Sequence, residues 1–274
     1  MKRIIITTAA YFCLVNFIAP LGGGFADEVL AQKSKDKSKT PENAGAVQPA
    51  VLEKATDNST LDIDIYNMAL NNMDLQVAVY SMYNLIAKNP GQAAGYKDSL
   101  ASLYFVMQSY VPCINVCNDI LTEQPGNAKI LGLLAMSEKN IGRAKEALDA
   151  YEKLFRITQN LNDFYEIAVL QYNLQRYGEC RANIEQLLSN PSSDKDTIQI
   201  IFEDTDRQTK AQLVPLRAAA LNLKGIVQME LSEYKDSRTS FKDALALSPD
   251  FKLVMANLEL LNKKEKTKEP IKTK

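Results

Sequence analysis

The sequence predicts an all-α fold of about five antiparallel helix pairs in series, interrupted by one short β-hairpin near residues 197–214. Three observations carry this. One spacing of large and small apolar residues recurs between residues 61 and 251, and prolines close most of its copies. A single stretch, "SSDKDTIQIIFEDTDRQTKAQLVP", abandons the helical spacing for a run of branched and aromatic residues.

The chain opens on Lys2 and Arg3, an apolar run from Ile4 to Ala19, then Pro20 and three glycines. That is the layout of a secretory signal peptide. Residues 1–26 are read as a leader cut after Ala26, with Ala31 as the second choice. The run is shorter than the ~20 apolar residues of a spanning helix, so no membrane span is expected in the mature chain. Cys13 lacks the small residues that precede a lipid-modified cysteine. Residues 27–60, lysine-rich and then rich in Pro, Ala, Thr and Asn, offer too little apolar surface to offset ordering entropy and read as a flexible linker.

The repeats come next, at about 61–90, 94–127, 128–160, 161–191 and 216–251. The first matches only in its second helix, through Leu75, Ala78, Met82, Leu85 and Pro90. The second has Ala101, Tyr104, Met107, Tyr110, Cys113, Cys117, Ile120 and Pro125; the third has Leu134, Ala135, Ile141, Ala144, Ala147, Tyr151 and Leu154 without a closing proline. The fourth runs through Phe164, Ala168, Leu174, Tyr177, Cys180, Ile184, Leu187 and Pro191. The fifth is the fullest: Gly225, Leu231, Tyr234, Ser237, Phe241, Ala244 and Pro249. The small residues let two backbones approach to ~8–10 Å, and the apolar residues at three and four spacing give each helix a face to bury. Proline then ends the second helix, because it lacks an N–H and disfavours helix at the residue before it.

This pattern resembles the tetratricopeptide repeat family, whose period is about 34 residues. Pro90 and Pro125 stand about one period apart, and Pro125 and Pro191 about two. The resemblance implies an α-α superhelix over residues 61–261. The sequence departs from the family pattern in lacking tryptophan altogether. The excess between Pro191 and Pro249 falls in the insertion at 192–215, where Thr197–Phe202 and Gln212–Val214 read as strands that must lean on neighbouring helices. Residues 262–274, "NKKEKTKEPIKTK", read as a basic disordered tail.

Composition excludes several functions. Thirty-two Lys and Arg balance 33 Asp and Glu, for a net charge of -1, so there is no footprint for nucleic acid. Without histidine there is no imidazole base, no Cys–His or Ser–His pair and no ordinary Cys/His zinc site. No catalytic constellation, cofactor motif or metal motif is expected. Cys113 and Cys117 lie four apart on one helix, too far for an undistorted disulfide, and Cys180 occupies the Cys113 slot two repeats on. They are read as buried small hydrophobes.

What remains is surface recognition. In the family the first helix of each pair lines a concave groove, which the resemblance places at Asp98, Ser102 and Phe105; Met136, Lys139 and Asn140; Tyr165, Val169, Tyr172 and Asn173; and Asn222, Ile226 and Met229. The stripe of Tyr165, Val169 and Tyr172 either contacts a partner or packs on the adjacent repeat. Lys139 and Lys129 supply little positive charge, so the expected ligand is an apolar or mixed protein segment or extended peptide. The leading expectation is a non-catalytic exported scaffold, in the periplasm or cell envelope if the source is Gram-negative. A component of an envelope assembly, held through its convex face, hairpin or tail, is the alternative. A thiol enzyme using Cys113 and Cys117 is a weaker third reading.

Overall fold

The computed structural model describes residues 59–203 and 209–268; the leader and nearly all of the linker lie outside them. In chain order the elements are α1 (Ser59–Asn71), α2 (Leu75–Lys88), α3 (Ala93–Val106), α4 (Tyr110–Glu123), α5 (Ala128–Asn140), α6 (Ala144–Thr158), α7 (Leu161–Asn173) and α8 (Tyr177–Ser189). Strands β1 (Thr197–Glu203) and β2 (Thr209–Pro215) follow, then α9 (Leu216–Glu230), α10 (Tyr234–Leu247) and α11 (Lys252–Lys268). This is a helical repeat with one antiparallel hairpin. The chain divides into two compact units at the Ile141–Gly142 boundary.

Within the pairs one turn is used again and again. Met73, Gln108, Gly142, Gln175 and Ser232 each occupy the left-handed region between a first and a second helix. At four of these turns the next residue's N–H reaches back to a carbonyl five residues earlier: Asp74 to Ala69, Ser109 to Tyr104, Arg176 to Gln171 and Glu233 to Gln228, all within 2.8–2.9 Å. This is a Schellman closure, which satisfies the last carbonyls of the first helix. Only one of the five residues is glycine, although a side chain costs about 1–2 kcal/mol in this region.

The two helices of a pair then meet at residues twelve apart. Ser237 Oγ donates to the Gly225 carbonyl at 2.7 Å, and Cys113 Sγ points at the Ala101 carbonyl at 3.3 Å. One turn further along, Ser240 Oγ donates to Gln228 Oε1 at 2.7 Å, and Asn183 Nδ2 donates to Gln171 Oε1 at 2.8 Å. Gln171 and Gln228 are buried, so these bonds remove what would be a costly unpaired amide oxygen. A Cβ built on Gly225 would lie 2.5 Å from the Phe241 ring, so glycine here is a packing requirement.

The first unit, from α1 to α5, has a core built on Ala69, Ala78, Met82, Leu85, Tyr96 and Leu100. Its opening helix α1 is regular along its length and is tied to α2 by Asp62, which is buried and accepts from Lys88 Nζ at 2.6 Å and from Asn84 Nδ2 at 3.3 Å. Helix starts are capped by side chains: Asp74 accepts from Val77 N–H, and Asn127 from Ile130 N–H. The closing prolines act as the spacing predicts; α2 and α8 stop before Pro90 and Pro191, each of which starts a short 3-10 turn.

In the second unit, from α6 to α11, the hairpin pairs Thr197 with Pro215 through to Glu203 with Thr209. Ile198, Ile200 and Val214 face inward and are buried, while their strand neighbour Leu213 is exposed. The hairpin leans on the helices through polar contacts: Gln212 donates to the Asp250 carbonyl and accepts from Lys252 N–H, and Asn162 Nδ2 donates to the Thr197 carbonyl. The basic stretch from Asn262 departs from expectation, because α11 continues through it to Lys268. Val254 and Leu261 are fully buried along this helix, while Arg238 binds both Asn262 and Glu265, and Lys264 pairs with Glu230 at 3.1 Å. Apolar spacing and ion pairing continue past the point where composition alone suggests a tail.

Candidate functional site

Candidate residues on first helices are positioned by the repeat, since α3 packs beside α5 in the first unit and α7 beside α9 in the second. In the first unit Phe105 is buried and meets the Tyr110 ring edge-on at 6.1 Å; Met136 and Asn140 are buried too, with Asn140 Nδ2 bonded to the Met136 carbonyl. Asp98, Ser102 and Lys139 are half-buried at the surface. The Ser102 hydroxyl is turned back onto the Asp98 carbonyl at 2.8 Å. One Asp98 carboxylate oxygen is buried without a hydrogen-bond partner among the described residues, and burial pushes this carboxyl upward against the pull of Lys129.

In the second unit Tyr165 is buried, and burial together with Glu166 raises its phenol far above the usual range. The stripe therefore splits: Tyr165 belongs to the core, whereas Val169, Tyr172 and Asn173 are half-buried. Tyr172 lies 5.9 Å from the Tyr177 ring and near the Glu230 carboxylate, and burial followed by that charge raises its phenol. On α9, Ile226 is half-buried and Met229 is buried. Asn222 is also buried, its Oδ1 accepting from Asn257 Nδ2 of α11 at 2.8 Å. The last helix thus lies over part of the face that the first-helix pattern leaves open.

A polar cleft of about 570 Å³ lies at the N-terminus of α7, lined by Asn160, Asn162, Asn190, Ser192, Lys195 and Thr197 among others. Its charged lining groups are Lys195 and Asp196. The thiols lie in the core. Cys113, Cys117 and Cys180 are all fully buried; contact with Cys113 and then burial hold the Cys117 thiol protonated, and burial pushes Cys180 to about 12. The Cys113 and Cys117 sulfurs lie 3.9 Å apart as free thiols. Among the described residues no three His, Cys, Asp or Glu side chains are grouped to hold a metal, and no helix is long and apolar enough to cross a membrane.

Sequence reasoning missed the buried Gln171–Asn183 and Gln228–Ser240 bonds. Their signal is the constant offset of twelve, which polar residues share with the small ones at Gly225 and Ser237.

These features define a helical-repeat protein, and its fold is the tetratricopeptide repeat fold. The chain is similar to a crystal structure of MamA protein, with a TM-score of 0.53 and 12% identity over 79% of this chain and 98% of that one. It is similar also to YrrB, described as a tetratricopeptide repeat protein with an unusual peptide-binding site, with a TM-score of 0.56 and 12% identity over 74% of this chain and 92% of that one. No family model and no curated protein matches the sequence.

Proposed function

We propose that this protein is a non-catalytic exported scaffold that holds a protein segment or extended peptide against its first-helix faces. The observation that carries the proposal is the accessible row of Val169, Tyr172 and Asn173 on α7 beside Ile226 on the adjoining α9. Tyrosine and branched aliphatic side chains offer large contact area at modest ordering cost. YrrB, of the same fold, is described as having a peptide-binding site. Export is supported by the basic–apolar–small layout of residues 1–26. The test is affinity capture from the native host with the unmodified chain and with Tyr172→Ala combined with Ile226→Ala. A specific partner should be lost at least tenfold while the far-UV spectrum is unchanged; undiminished capture removes the groove assignment. N-terminal sequencing of the secreted form should begin at Asp27, or at Gln32 on the second choice.

A second reading, as a component of an envelope assembly, is favoured by Leu213, which is 68% exposed on the outward face of the hairpin. Leu213→Glu would then abolish assembly while leaving peptide capture intact.

A further inference from the structure

We infer that the outward face of the first helix pair is the contact surface of a symmetric dimer of this chain. Solenoid ends need polar outer faces, because the side that would receive the next repeat is otherwise left apolar. The C-terminal end is closed in this way. Helix α11 buries Val254 and Leu261 and turns Lys252, Ala256, Glu259, Lys263 and Lys266 outward, at offsets that form one stripe, with Met255 beside them 37% exposed. The N-terminal pair has no such cover among the described residues. On α1, Leu61 is 65% exposed and Met68 is 63% exposed, with half-buried Ile65 between them. On α2, Tyr80 is 66% exposed, and Val77 and Met73 complete the patch at the turn.

None of these five exposed side chains belongs to the buried core of the pair, which is made by Ala69, Ala78, Met82 and Leu85. At roughly 100 Å² each they present about 500 Å², at the upper end of what a monomer leaves open and approaching the ~800 Å² that each partner gives to a standard interface. Their spacing suits a second copy. Leu61 and Met68 are two helical turns apart, so an antiparallel crossing of α1 on its twin sets Leu61 against Met68 of the other copy and the reverse, with the two-fold axis between Asp64 and Ile65. Tyr80 and Val77 of each copy then flank the seam. The axis also brings the two Asp64 carboxylates near one another, so the association works against a like-charge pair that salt screens.

Sedimentation equilibrium of the full chain across the micromolar range tests this. A dimer is expected, with Leu61→Glu combined with Tyr80→Glu weakening it at least tenfold while the helical spectrum and melting curve stay those of the native protein. Asp64→Asn should tighten the dimer about threefold or more, and added salt should tighten the unmodified dimer but not this variant. A native protein that is monomeric throughout, or a dimer indifferent to Leu61 and Tyr80, overturns the inference. A dimer weakened by Asp64→Asn overturns the two-fold axis and with it the proposed pairing.

Discussion

Replacing Gly225 by alanine should destabilise the protein, although alanine is the better helix former. Gly225 lies inside α9, where exchange of glycine for alanine ordinarily gains about 0.5–1 kcal/mol through reduced backbone freedom. Here the new Cβ would meet three atoms of the Phe241 ring at 2.5, 2.7 and 3.0 Å. The ring has to retreat by roughly 1 Å to restore ordinary contact, and Phe241 is fully buried in a core packed close to crystal density. Overpacking of this kind costs about 1–3 kcal/mol, so the clash outweighs the helix gain and leaves a net loss of about 1 kcal/mol. For a folded region of this size that lowers Tm by about 2–4 °C. Gly95→Ala is the control, since a Cβ there meets nothing within 4 Å and only the gain should remain. Urea unfolding followed by far-UV circular dichroism measures both, and a Phe241→Leu partner closes a double-mutant cycle whose coupling should favour the pair by about 1 kcal/mol. If Gly225→Ala is as stable as the native protein, the account of close helix approach in this pair is wrong.

Three further outcomes follow from the same geometry. Gln108→Gly and Gln175→Gly relieve a side chain held in the left-handed region, so each should stabilise by about 0.5–1 kcal/mol, whereas Gly142→Ala should cost about as much; thermal melts check the signs. Asp163 is held up to about 6, chiefly by burial, against the hydrogen bond from Thr158 and with Glu166 adding to the rise. Its folded value exceeds its unfolded one, so its stabilising contribution is complete below about pH 4 and is lost as pH rises through about 6; Asp163→Asn should flatten that part of the stability–pH curve. The thiols of Cys113, Cys117 and Cys180 should label only at the rate of unfolding, and rapid native labelling of two of them would contradict their burial.

Much of the fold was legible because the repeat states its steric rule in side chains. Gly225 and Phe241 stand at the offsets at which two helices must touch, and Pro90 and Pro191 stand where helices must stop. The hairpin was legible for a different reason: Ile198 and Ile200 alternate with Gln199, which no helical face requires. The turns were hidden because four of five left-handed positions carry Met, Gln or Ser, so the usual glycine signal is absent and only their shared place in the period identifies them. Helix α11 was hidden by composition, since its lysines suggest a tail while Val254, Leu258 and Leu261 keep helical spacing beneath them. The site was least legible, and the reason is geometric. A first-helix residue faces either a partner or the neighbouring repeat according to a rotation of a few tens of degrees, and apolar type does not distinguish the two. Tyr165 and Tyr172 share a stripe seven residues long, yet one is sealed in the core and the other reaches the surface beside Tyr177. Asn222 shows the converse: its polar side chain suggests solvent, but Asn257 of a helix outside the repeat register satisfies and covers it. Residue type therefore does not say which first-helix side chains the adjoining helix covers; on α7 and α9 Val169, Tyr172, Asn173 and Ile226 are among those left half-buried.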